Sequence, residues 1–368
     1  MFICVLTRDT LMTPRERVLT AMRRTGTPDR VPFEISWGAF TPGLMDVYRQ
    51  RTGSTLDPAE YFDFDTRLVN LDPTRKKTDF APWFSEPPLP DAVWDEWGYG
   101  ALRGSMEHFL EYRYHPLAEC RSVEQIAEFS WPDVDAEYRF EGVARATRSY
   151  QERGYAVAGE LYLTIFETAW LMRGMNNLLA DFYFNREIAH AIFETITEMR
   201  IRQAVKYARI GVDVLRLGDD VSTQKGPMMS LDLYREFLKE RMRRIITAAK
   251  QVKPDILIFM HSDGAVADFI PEYIDIGVDI LNPVQPECND LTEISRTYGG
   301  RISFWGGIGT QTTMPYGTPQ EVQAKVREVK SQLGSGGGLL LAPSHILEPE
   351  VPWENVLAFV EAARKESY

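Results

Sequence analysis

"DILIFMHSDG" (255–264) decides how this chain is read. Six residues from Asp255 to Met260 are almost wholly apolar, with no in–out alternation, as in a strand covered on both faces. A histidine closes the run, and an aspartate stands two residues later. With five histidines in 368 residues, that placement points to a site at the strand's carboxyl end.

The same design recurs on both sides. "YAVAGEL" (155–161), "VDVLRLGDD" (212–220), "VDILNPVQPE" (278–287), "RISFWGGIG" (301–309) and "GGLLLAPSH" (337–345) are strand runs separated by amphipathic helical stretches. "RVPFEIS" (30–36) adds another near the front. Strict β–α alternation with apolar strands predicts a parallel sheet. The number of units fits a distorted (β/α)8 TIM barrel, a fold of about 250 residues before insertions. A doubly wound sheet lacks support, because no strand runs into a GxGxxG turn. Residues 57–132, rich in proline and tryptophan, break the alternation and read as an insertion over the barrel mouth within one domain spanning 12–368. Residues 1–11 read as an extra leader, because "TPRERVLTAMRR" opens a helix capped by Thr13 with Pro14 in its first turn.

Composition narrows the function. The chain is 44% hydrophobic and 26% charged, with a net charge of −12 and no basic stripe, so a nucleic-acid partner is not expected. Cys4, Cys120 and Cys288 form no CxxC pair, which argues against a disulfide scaffold or zinc ribbon and for a reducing, cytoplasmic setting. The apolar patch near the start is too short to cross a bilayer. A homodimer is compatible with this composition.

In such a barrel, chemistry gathers at the carboxyl ends of the strands. Those ends supply Glu34, Glu160, Asp219 and Asp220 as candidate catalytic acids. Trp37, Asn282, Gln285 and Trp305 are the expected substrate contacts. His261, Asp263 and His345 form the expected metal site, since residues i and i+2 of a strand share a face. Two imidazoles and a carboxylate suit zinc or a similar divalent ion. One of the Asp219–Asp220 pair is expected to cap a turn and the other to face a ligand. Cys288 reads as a loop thiol, and His108, His115 and His190 as structural residues.

Longer blocks resemble the uroporphyrinogen decarboxylase superfamily: "TPRERVLTAMRRTGTPDRVPFE", "GDDVSTQKGPMMSLDLYREF", "HSDGAVADFIPEYIDIGVDILNPVQPE", "RISFWGGIGTQTTMPYGTPQEV" and "LLLAPSHILEPEVPWENVLAF". The resemblance implies a distorted (β/α)8 barrel. One branch decarboxylates a tetrapyrrole held by arginines after the first strand; here "FEISWGAFTPG" has none, and Glu34 opposes a propionate. The other branch comprises zinc methyltransferases that work with corrinoid proteins and carry a His-x-Cys motif and a later cysteine. His261 matches that histidine, while Asp263 and His345 stand at the cysteine positions. A site without sulfur is a harder Lewis acid, suited to an ether or amine leaving group. The resemblance therefore implies methyl transfer from an O-methyl or N-methyl donor to a corrinoid on a separate protein. The competing readings are a lyase for a small acid or tetrapyrrole, and a corrinoid- or tetrapyrrole-binding protein without turnover.

Overall fold

The computed structural model describes residues 12–35, 40–104 and 110–365. Seven strands form one parallel sheet in chain order: β1 (Thr66–Val69), β2 (Ala156–Tyr162), β3 (Val214–Gly218), β4 (Leu257–His261), β5 (Ile280–Asn282), β6 (Ser303–Ile308) and β7 (Leu339–Pro343). Each of the six runs from Tyr155 onward contains one of them. Among its described residues, the "RVPFEIS" run contributes a single parallel bridge, Phe33 to Leu341, in place of a full strand. Pro32 has no N–H to give a ladder. Its carbonyl accepts from Leu341, Glu34 N donates to the Leu341 carbonyl, and Asp65 N donates to the Phe33 carbonyl. This segment thus takes the eighth position between β7 and β1 and curls the sheet into a distorted barrel.

Alternate residues of the strands point inward. Ala156, Ala158, Val214, Leu257, Phe259, Ile280, Trp305, Leu340 and Ala342 pack together with Val18, Ala21 and Met22 of the helix Pro14–Met22. The alanines leave room for Phe259 and Trp305, whose rings meet edge to face at 5.1 Å. That helix starts as the sequence indicates, with Thr13 and Glu16 forming a reciprocal capping box. It closes the amino end of the barrel with apolar side chains and leaves polar chemistry to the other end.

Asp65 ties this closure together. Fully buried, it pairs with Arg17 at 2.6 Å and Arg30 at 2.7 Å, and accepts from Phe33 N at 2.9 Å. One carboxylate therefore joins the plug helix, the eighth position and the start of β1.

The 57–132 stretch needs a correction, because Thr66–Val69 within it is a barrel strand paired with β2. Its run "TRLV" is short and charged neighbours surround it, so the apolar signal is hidden. Between β1 and β2 lies a small antiparallel sheet of Val93–Trp94, Gly100–Arg103 and Leu110–Tyr114. No helix among the described residues is long and apolar enough to cross a membrane.

Candidate active site

β3, β4 and β5 end in register: Gly218 lies opposite His261, and His261 opposite Asn282. The glycine is required by contact, since a Cβ there would stand 2.9 Å from the His261 Cβ. His261 is buried, and its Nδ1 lies 2.6 Å from Asn282 Oδ1. The amide's orientation is set by its other end, because Asn282 Nδ2 donates to the Trp305 carbonyl at 2.7 Å. Oδ1 must then accept, so His261 Nδ1 carries the proton and Nε2 presents its lone pair.

That Nε2 is 3.7 Å from Asp220 Oδ1 and 3.8 Å from Asp263 Oδ1. These separations are too long for hydrogen bonds. With metal–ligand bonds of about 2.0–2.2 Å, two ligand atoms on one tetrahedral ion stand roughly 3.3–3.6 Å apart. Ligand atoms of Asp220, His261 and Asp263 all lie within 4.8 Å of one another. Asp220 Oδ1 also accepts from Asp263 N at 2.7 Å, which holds the two aspartates in place.

Charge in this corner is crowded. Burial, then the Asp220 charge, pushes the Asp263 carboxyl up to about 7. Glu167 is raised well above the usual range by burial and by Asp220 and Asp219. Burial pulls His261 down, towards the neutral imidazole that a metal needs. A divalent cation among these groups would relieve the repulsion.

The expected trio of His261, Asp263 and His345 is thus only partly assembled. His345 Nε2 is 4.0 Å from Asp263 Oδ2, its side chain is 44% exposed, and the two histidine rings lie 6.3 Å apart. Asp220 joins the tightest set in its place. The i, i+2 argument does not apply, because β4 ends at His261 and Asp263 lies in the loop beyond it.

The acid pair at 219–220 divides its work. Asp219 accepts from Ile165 N at 2.9 Å and Glu167 N at 3.0 Å, at the start of the helix Phe166–Arg173, so it anchors a neighbouring loop. Burial pushes it up to about 6. Glu34 and Glu160 are both buried within reach of the Arg216 charge. Glu34 takes the Trp305 indole N–H at 2.8 Å, and burial pushes it up to about 7. Glu160 lies 3.5 Å from Arg216 Nη1. Sequence reading missed Arg216, although one arginine inside the wholly buried strand "VLRLG" was a usable signal.

The remaining expected contacts scatter. Asn282 spends its amide on His261 and Trp305, and Trp305 is fully buried behind Glu34. Gln285 accepts from Gly264 N at 3.2 Å and lines a cavity of about 520 Å³ shared with Asp263 and His345. Trp37 lies outside the described residues, as does His108. The Cys288 thiol donates to the Gln285 carbonyl at 3.7 Å, and burial pushes it up to about 11, which disfavours a thiolate. His115 and His190 bond a carbonyl and stack on Phe237, respectively.

Because Asn282 fixes the His261 tautomer, Asn282→Ala is expected to weaken zinc binding about 10–100-fold, as loss of a ligand's supporting hydrogen bond does. Titration against a chromophoric chelator measures this, and an unchanged affinity would remove Asn282 from the site.

Comparison with known proteins agrees with this architecture. The uroporphyrinogen decarboxylase (URO-D) family profile matches residues 115–366, more than half of the chain. The methylcobamide:CoM methyltransferase MtaA of Methanosarcina barkeri is 29% identical over 181 residues, 48% of this chain and 50% of the relative. A uroporphyrinogen decarboxylase of Legionella pneumophila is 24% identical over 195 residues, 52% of each chain. The chain thus spans about half the length of the curated relatives it matches. A solved methyltransferase from Methanosarcina mazei superposes with a TM-score of 0.68 at 19% identity, covering 96% of this chain and 98% of that one, which shows a shared fold. The chain belongs to the uroporphyrinogen decarboxylase family.

Proposed function

We propose that this protein is a metal-dependent methyltransferase that moves a methyl group from an O-methyl or N-methyl donor to a corrinoid carried by a separate protein. The observation that carries the reading is the Asp220–His261–Asp263 donor set at the barrel mouth, with His261 Nε2 presented by Asn282. Similarity to a methylcobamide:CoM methyltransferase supports the transfer class. The buried acids Glu34 and Glu160 and the acids at the mouth, Asp220 and Asp263, disfavour a polycarboxylated tetrapyrrole.

The residues fit a divalent ion such as zinc, with oxygen and nitrogen donors only. When bound, the ion supplies a Lewis acid for the heteroatom that keeps the electron pair as its bond to the methyl carbon breaks. The chain's own residues do the rest. Asn282 holds the imidazole proton on Nδ1, and the Asp263 amide holds Asp220 in position. The cavity of about 520 Å³ beside Asp263 and His345 opens a route for the methyl acceptor.

Purified protein with zinc, a methyl ether or methylamine and a reduced corrinoid should change the corrinoid absorbance as methyl is transferred. Absence of transfer from every donor, with zinc bound, would refute the reading. Metal affinity should also depend on pH. Asp263 takes a proton below about 7 in the metal-free protein, so protons compete with the ion there and the competition fades above that pH. Zinc titrations at pH 5.5 and 8 should differ by more than tenfold, tighter at the higher pH; equal affinities would contradict the assignment of Asp263.

A further inference from the structure

β4 stops at His261, so the sheet register that places the histidine does not place Asp263, which lies in the loop beyond. Contacts outside the sheet must aim its carboxylate at Asp220. Ser262 N donates to the Asn282 carbonyl at 2.9 Å, Asp263 N to Asp220 Oδ1 at 2.7 Å and Ala265 N to the Thr223 carbonyl at 2.9 Å. Gly264 N donates to Gln285 Oε1 at 3.2 Å, and Val266 N to Asn289 Oδ1 at 3.2 Å. Every amide from 262 to 266 is therefore committed, two of them to side chains of the loop after β5. Gly264 has φ +86°, and a Cβ there would stand 2.6 Å from the Thr223 carbonyl oxygen, so the loop lies flush on its neighbour.

Asn289 makes the most of these ties. Its Nδ2 donates to the Gly264 carbonyl at 2.8 Å and the Gln285 carbonyl at 2.9 Å, while Oδ1 accepts from Val266 N. Both N–H groups and the oxygen of the amide are thus used on backbone, and none of these bonds goes to the donor set. Gly264 and Gln285, whose carbonyls it holds, are also the two residues joined by the other tie between these loops. A carboxylate of the same size would keep the Val266 bond and set an oxygen against both carbonyls.

We propose that Asn289 is a positioning residue for the metal corner: by clamping the loop after β4 to the loop after β5, it holds Asp263 facing Asp220 and His261. This inference rests on the metal-dependent reading, from which it takes the donor set, and it concerns metal binding before any methyl is moved.

Zinc titration at pH 8 against a chromophoric chelator, with the visible absorption of the cobalt(II)-loaded proteins, tests it. Asn289→Asp should bind zinc at least about tenfold more weakly, the order of loss that follows removal of a ligand's support. Its cobalt(II) bands, which report the number and arrangement of donors, should change in intensity. Asn289→Ala should lose as much, and either variant serves alone if the other fails to fold. Asp290→Ala is the structural control, because Asp290 caps the helix Leu291–Tyr298 through Glu293 N at 3.0 Å. It should lower the melting temperature and leave zinc affinity within about twofold, as independent sites do. In an Asp263→Ala background, Asn289→Ala should change the remaining zinc affinity less than about twofold, since it acts through Asp263. Unchanged affinity and cobalt bands in the Asn289 variants, an equal loss in Asp290→Ala, the same loss with and without Asp263, or a wild type that binds no zinc would each overturn the proposal. The expected losses without methyl transfer to any corrinoid would uphold Asn289 while removing the methyltransferase reading. Transfer by an Asn289→Ala protein of full zinc affinity would do the reverse.

Discussion

His261→Ala is expected to abolish tight zinc binding and lower zinc-dependent methyl transfer more than about 100-fold, beyond the range seen when only a ligand's supporting hydrogen bond is lost. The imidazole stands between two carboxylates, and Nε2 is the nitrogen donor of the tightest set. Without it, Asp220 and Asp263 remain as a repelling pair. The fold should survive, because the main structural loss is the Asn282 Oδ1 partner, worth about 1–3 kcal/mol when left unmet. Circular dichroism and melting separate the two effects. His345→Ala is the control: its half-exposed ring lies outside the set, so it should cost less than a tenth as much affinity. Equal losses in the two variants would restore the His261–Asp263–His345 site that the sequence alone suggests.

Asp65→Ala should cost about 3–5 kcal/mol of stability, the usual result of removing one partner from a buried ion pair. Its carboxylate holds Arg17 and Arg30 and caps Phe33 N. Arg17 keeps Asp29 at 2.6 Å, which offsets part of the loss, whereas the Phe33 amide is left buried without its acceptor. Urea denaturation should show a lower midpoint with an unchanged slope. A loss under about 1 kcal/mol would mean that the barrel closes without this junction.

Legibility in the sequence followed the physics of each element. β2 to β7 were readable because strands buried on both faces become continuous apolar runs. β1 was not, since "TRLV" carries an arginine and sits beside Asp63 and Asp65. The acids and His261 come at the carboxyl ends of strands, and the barrel puts all those ends on one rim. Which of them meet depends on where each strand stops. β4 stops at His261, which releases Asp263 towards Asp220, while His345 lies two residues past Pro343 and stays half exposed. The division between Asp219 and Asp220 was also hidden, since Asp219 is claimed by amides of a loop more than fifty residues earlier. Asn282 read as a substrate contact because polarity at a rim does not reveal that an amide is already committed to a histidine and a carbonyl.

The central claim is that Asp220, His261 and Asp263 hold one divalent metal. Zinc-equilibrated protein, dialysed at pH 8 and assayed by mass spectrometry, tests it most directly. The account predicts about one zinc per chain in the wild type and in Cys288→Ser, and almost none in Asp220→Ala or His261→Ala. Zinc well below one equivalent in the wild type, or the same content in all four proteins, would contradict it.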